Sequence, residues 1–180
     1  MRRLAGRPLI AAVVIVTASL LAPTPASAQE DTGNVAWSLT RSVLVDPTTF
    51  APAAISYEAM RRDWKTSQVL FAHGWLEANP RFTVSGRPND VPVSDAGGTR
   101  RIRGVALSVL RNSAVNNLAV GIGARLCVAR YPSHKTLIRT ISWVERLAFA
   151  SVITYRNSVD HVRQADMNRR IAREYGYSPP

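Results

Sequence analysis

Residues 55–80, ISYEAMRRDWKTSQVLFAHGWLEANP, constrain this chain more than any other stretch. At about 100° per residue, Tyr57, Met60, Trp64, Phe71 and Trp75 fall on one stripe, while Arg61, Arg62 and Lys65 fall away from it. That pattern predicts a long helix with one face against a core. Beside the apolar stripe runs a mixed one made by Asp63, Thr66, Ser67, Leu70, Gly74 and Glu77, with His73 on its flank, so acids are expected to be half buried there. Asn79-Pro80 is expected to end the helix, because the residue before a proline is pushed out of the α region.

Two more long helices are predicted. Over 104–130, Leu107, Ala114, Leu118 and Ile122 lie on one side and Val105, Val109 and Cys127 on another, as in a central helix covered on several sides. Gly121 and Gly123, beside Ala119 and Ala124, would let a neighbour approach closely. Asn116 and Asn117 in mid-helix either find buried hydrogen-bond partners or mark a kink. Tyr131-Pro132-Ser133 makes a turn, and Ser133 is placed to cap a helix over 134–166. There Leu137, Ile141, Val144, Ala148, Val152, Tyr155, Val159 and Val162 recur at three- and four-residue spacing. The uncharged run 147–155 is far too short to span a bilayer.

Shorter signals complete the fold. VAWSLTRSVLV, residues 35–45, reads as a short helix, and Asp46-Pro47 as a helix start, since Asp caps and Pro is tolerated in a first turn. Pro52 permits either a helix running on or a break. Residues 79–103 hold no sustained period and form a long irregular loop rich in turn residues. The basic tail, 167–180, ends in Ser-Pro-Pro and is expected to fray. The expected fold is an all-α small helical bundle: three long helices plus one or two short N-terminal ones, with a long irregular loop.

Arg2, Arg3 and Arg7, the apolar run 9–21 and Ala26-Ser27-Ala28 before Gln29 form a signal-peptide pattern, with cleavage expected after Ala28; residues 29–34 would be a disordered linker and 35–166 the helical domain. Removing those three arginines leaves 20 basic residues of the original 23 against 12 acids, net +8. Nearly all are arginine, Lys65 and Lys135 being the only lysines. An exported, periplasmic or envelope-associated basic protein meets anionic lipid or envelope polymers rather than nucleic acid. Cys127, the only cysteine, forms no internal disulfide and reads as a small buried hydrophobe.

Several residues qualify for chemistry. His73 and Glu77, four apart, share a helix face at a spacing that can hold a transition metal, but the further ligands would have to come from His134, His161, Asp63, Asp160 or Asp166, so no metal or cofactor is assigned. Asp63 and Glu77 are acid-base candidates, yet along one continuous helix they lie roughly 20 Å apart, too far to act on one bond. Arg111 and Arg125 are instead expected to neutralise Asp63 or Glu77 across a helix interface. No nucleophile motif and no phosphate-cradling glycine loop is present.

Asp63-x-x-Thr66 followed by Gly74-x-x-Glu77-x-Asn79-Pro80 resembles a motif of a domain-of-unknown-function family of small bacterial membrane proteins. In that family a first helix ends in a similar loop before a two-helix hairpin, which implies a hairpin of 104–130 and 136–160 here; no activity transfers. The favoured reading is a non-catalytic envelope protein that binds a membrane surface, an anionic polymer or a protein partner through Arg81, Arg87, Arg100, Arg101 and Arg103. The alternatives are an exported hydrolase or metal-dependent enzyme centred on Asp63, His73, Glu77 and Asn79, and a membrane-anchored subunit that retains its N-terminal segment.

Overall fold

The computed structural model describes residues 32–177, so the expected signal peptide and the start of the linker lie outside the described residues. The protein is all-α. Helix α1 spans Thr32–Leu44, α2 Pro47–Phe71, α3 Asp95–Arg130 and α4 Lys135–Glu174, with single 3₁₀ turns at Pro80–Phe82 and Pro132–His134. α3 and α4 form a long hairpin, and α2 packs against both.

Asp46 starts α2 as the sequence suggests: it adopts an extended backbone, its Oδ1 accepts from the Thr48 N–H at 2.9 Å, and Pro47 occupies the first helical position. The helix runs through Pro52 without a break. It ends earlier than expected, at Phe71, because the chain turns at Gly74, whose φ of +85° suits a residue without a Cβ. Trp75 therefore leaves the stripe it was expected to share with Trp64. The stretch expected to be loop, 79–103, is also divided. Its first part is held by two antiparallel bridges, Glu77 with Asp90 and Thr83 with Pro92. Its second part is the start of α3, where the Ser94 hydroxyl accepts from the Gly97 N–H at 3.2 Å and Asp95 complements the helix dipole in the first turn. The tail does not fray at 167: α4 continues to Glu174, and Tyr175 and Tyr177 fold back on Trp75 and His73. Ser133 makes no capping bond to α4; its hydroxyl meets His134 Nδ1 instead.

The apolar core is small. Met60, Trp64, Phe82 and Ile102 are buried together, with Tyr57, Phe71, Val93 and Val105 packed round them. Trp64 is tied down by a 2.7 Å hydrogen bond from its indole N–H to Asp95 Oδ1, so it fixes the first turn of α3 on α2. Elsewhere the interfaces are lined by small or polar side chains. Ser56, Ser113 and Asn117 are fully buried, and Asn117 donates to the Thr48 and Thr49 hydroxyls at 2.9 and 2.8 Å. Gly121 leaves room for the Arg146 guanidinium, which pairs with Asp46 at 2.8 Å. Burial alone would push the Asp46 carboxyl up, but the bonds from Thr48 and Arg146 outweigh it and hold the group below the usual carboxylate range.

Two stripes read as core-facing point outward. α4 buries Ala150, Ser158, Ala165 and Asn168, while Leu137, Ile141, Val144, Val152, Tyr155 and Val162, on another side of the helix, are exposed. α3 is not covered on several sides. It buries Ile102, Val109 and Val120 and leaves Leu107, Val115, Leu118 and Ile122 exposed. Periodicity locates the stripe but does not say what covers it.

A Cβ at Gly98 would clash with the Trp64 ring, which is buried and pinned by Asp95. Gly98→Ala is expected to destabilise the fold by about 1–3 kcal/mol, the usual range for overpacking. Thermal unfolding followed by circular dichroism measures this, and an unchanged midpoint would show that the helices separate freely here.

Candidate functional site

Asp63 leaves α2 on the side facing α4, and there it meets His161 rather than an arginine. Asp63 Oδ2 lies 2.7 Å from His161 Nδ1, and Oδ1 accepts from Asn168 Nδ2 at 3.3 Å. Asn168 is buried and is itself fully engaged: its amide donates to Ser67 Oγ at 2.9 Å and to Thr66 Oγ1 at 3.3 Å, while its carbonyl accepts from Gln164 at 3.0 Å. The positions 161, 164 and 168 share one helix face, so α4 delivers all three residues to α2 together. The expected neutralisation by Arg111 or Arg125 does not occur: Arg111 is exposed, and Arg125 donates to Ser38 on α1 at 2.6 Å.

Glu77 reaches the same place by another route. The estimate of 20 Å from Asp63 assumed one straight helix, but α2 stops at Phe71 and the chain doubles back, so Asp63 and Glu77 line one cavity. The Glu77 Oε1 accepts from the Asn79 N–H at 2.7 Å. Burial, reinforced by the nearby Asp63 charge, pushes its carboxyl above the ordinary value even though the Asn79 bond opposes the shift. Asn79 also caps the 3₁₀ turn, its side chain accepting from the Arg81 N–H.

The cavity measures about 320 Å³ and lies between the second half of α2, the 75–82 segment and the C-terminal half of α4. Trp64, Phe71, Trp75 and Phe82 supply aromatic walls; Asp63, Glu77 and Asp160 supply carboxyl groups and His161 an imidazole; among the described residues no lysine or arginine lines it. In a chain with 23 basic residues, that is an unusual surface. Ser67 reaches it too, but its hydroxyl is committed to the Asp63 carbonyl and to Asn168.

The remaining candidates lie elsewhere. His73 falls beyond the end of α2, so the helical spacing to Glu77 is lost. Its Nδ1 bonds the Val69 carbonyl at 2.8 Å and its ring stacks on Tyr177 with centroids 3.7 Å apart. Among the described residues no group of three or more His, Cys, Asp or Glu is placed to hold a metal ion. Arg101 ties the irregular segment to α3 by donating to the Arg81 and Thr83 carbonyls, while Arg81, Arg87, Arg100 and Arg103 are exposed. The Asn117 amide nitrogen donates to Thr48 and Thr49 inside the bundle, whereas its Oδ1 and the Asn116 amide nitrogen are buried without a partner among the described residues. Sequence reasoning named His161 only as a possible further metal ligand and missed Asn168 altogether. Their signal was a polar stripe, His161, Gln164 and Asn168, on another side of the helix from its apolar one. Comparison with protein-family models, curated proteins and solved structures finds no match for the chain.

A carboxyl whose folded-state pKa is raised favours the fold while protonated and loses that contribution as pH rises through the raised value. Glu77→Gln keeps the acceptor for Asn79 and removes the charge. It is expected to raise the unfolding midpoint at pH 7 and to leave it unchanged near pH 3, where Glu77 is protonated in both states. Asn168→Ala, by contrast, removes a hydrogen bond from each of Asp63, Ser67 and Gln164 at every pH and is expected to cost about 1–3 kcal/mol. Thermal melts at the two pH values check both.

Proposed function

We propose that this protein docks on an anionic membrane surface through the outer face of the α3/α4 hairpin, as an exported, envelope-associated protein. The observation that carries this reading is the outward apolar stripe of α4. Ile141 is 57 % exposed and Tyr155 63 %, and on α3 Leu107 is 65 % exposed, all on other sides of their helices than the residues that bond to α2. Isolated exposed apolar side chains are ordinary, but two continuous stripes on adjacent helices are the mark of an interaction surface.

Charge selects the partner. α3 carries six arginines and a single acid, Asp95, and Arg111 and Arg125 fall within its exposed stripe. α4 carries eight basic residues against four acids. Aliphatic and aromatic side chains flanked by arginine suit the headgroup and upper acyl region of anionic lipid, where each basic residue near the surface adds about 1 kcal/mol. No described helix is long and apolar enough to cross a membrane, which favours lying on the surface over spanning it. The N-terminal arginines, apolar run and Ala26-Ser27-Ala28 site support export.

Co-sedimentation with vesicles tests the reading. Binding is expected to vesicles of equal phosphatidylglycerol and phosphatidylcholine, to weaken as salt is raised, and to be weak on phosphatidylcholine alone. The double variant Ile141→Asp with Val152→Asp removes two large apolar contacts worth about 1.5–3 kcal/mol each, so affinity should fall by about a hundredfold or more while the helical spectrum is kept. Undiminished binding by that variant would overturn the proposal. So would a stable dimer that the same substitutions dissociate, because a second copy would then cover the face.

A further inference from the structure

The cleft between α2 and α4 has no part in membrane docking, and its side chains are arranged for more than structure. We propose that it is a hydrolytic site for small uncharged carboxylic esters, with His161 as the base that activates water. Three features support this. First, His161 is positioned in two tiers: Asp63 Oδ2 holds Nδ1 at 2.7 Å, and buried Asn168 holds Asp63. A carboxylate at Nδ1 fixes the ring's orientation and keeps the proton on Nδ1, which leaves Nε2 as the acceptor. Second, this pair lines a cavity of about 320 Å³, the size of a small-molecule site, with aromatic walls. Third, Glu77 lines the same cavity with one oxygen engaged by the Asn79 N–H, and burial favours its neutral form, which can donate a hydrogen bond.

The lining also selects the substrate. Carboxylates with no lysine or arginine beside them among the described residues repel phosphates and carboxylates, so the substrate is not an anion. The Ser67 hydroxyl is engaged twice, which leaves water as the nucleophile. In the reaction, the water oxygen bonds to the ester carbonyl carbon as His161 Nε2 takes one of its protons. In its neutral form, which burial favours, Glu77 donates a hydrogen bond to the carbonyl oxygen. The carbon–alkoxy bond then breaks, and the departing oxygen takes the proton from His161. The products are a carboxylic acid and an alcohol, and both side chains end as they began. Asp63 is a positioning residue.

The test uses the full chain and p-nitrophenyl butyrate, following release of p-nitrophenol. Saturable hydrolysis is expected. His161→Gln, which keeps a donor for Asp63 but has no base, should lower kcat by about a hundredfold or more. Asp63→Asn should lower kcat with KM nearly unchanged, since it disturbs the ring's proton and angle and weakens the push on Glu77 without removing a cavity wall. Glu77→Ala should lose about tenfold or more, and Glu77→Gln, still a neutral donor, should recover part of that loss. His134→Ala, at the exposed hairpin turn, serves as the control for unspecific imidazole catalysis. Hydrolysis that does not saturate, or that survives in a folded His161→Gln, would overturn the proposal.

Discussion

Two buried amides hold the hairpin in register on α2. Asn117 of α3 bonds Thr48 and Thr49 in the first turn of α2, and Asn168 of α4 bonds Thr66, Ser67 and Asp63 in its second half. Thr49 and Ser67 are eighteen residues apart on one helix, roughly 27 Å by helix rise, so the two anchors fix the hairpin near opposite ends of α2. Sliding either helix by one residue would strand several buried polar groups at about 1–3 kcal/mol each. Apolar packing alone would be far more tolerant of such a slip. Small buried residues, Ser56, Ala59, Ser113, Ala150 and Ala165, let the backbones come close enough for these short amides to reach.

The cleft is a consequence of that register. His161 lies two helical turns before Asn168 on the same face of α4, so anchoring Asn168 at Ser67 brings His161 over Asp63. The other wall needs the chain to reverse after Phe71, which Gly74 permits, and the Glu77–Asp90 bridge then holds Glu77 in place. The tail packs on the outside of this wall: Tyr175 meets Trp75 edge-on with centroids 5.9 Å apart, and Tyr177 stacks on His73. A polar seam that specifies register therefore also concentrates negative charge in one spot of a strongly basic protein.

How much of this was legible in the sequence divides along the same physical line. The all-α class, the Asp46-Pro47 start, the burial of Met60 and Trp64 and the turn at Pro132 depend on local patterns, and those could be read directly. Asn116-Asn117 stood out as a pair in need of partners. The pairing of Asp63 with His161 could not be read, because 98 residues separate them and nothing local links them. The orientation of α4 was misread for a different reason. A 3.6-residue period identifies an apolar stripe, but placing that stripe inside assumes that the bundle is the only apolar environment the helix meets. Here the small and polar face is the one buried. Glu77 was placed 20 Å from Asp63 by treating 55–80 as one helix, although Gly74 already marked a point where the chain could turn.

The proposed docking face and the cleft do not compete for the same surface. On α4 the residues that build the cleft project from another side than the exposed stripe, so a hairpin lying on lipid would leave the cleft facing water. The two also separate along the helix. The apolar stripe runs from Leu137 to Val162, roughly 38 Å by helix rise, and beyond it the same side carries Asp166, Arg169 and Arg173. Those charges end the surface that lipid can cover close to where His161, Gln164 and Asn168 begin the cleft. A lipid-bound molecule would thus keep a negatively charged, aromatic-walled cavity open to water, where the arginines of the docking face do not reach.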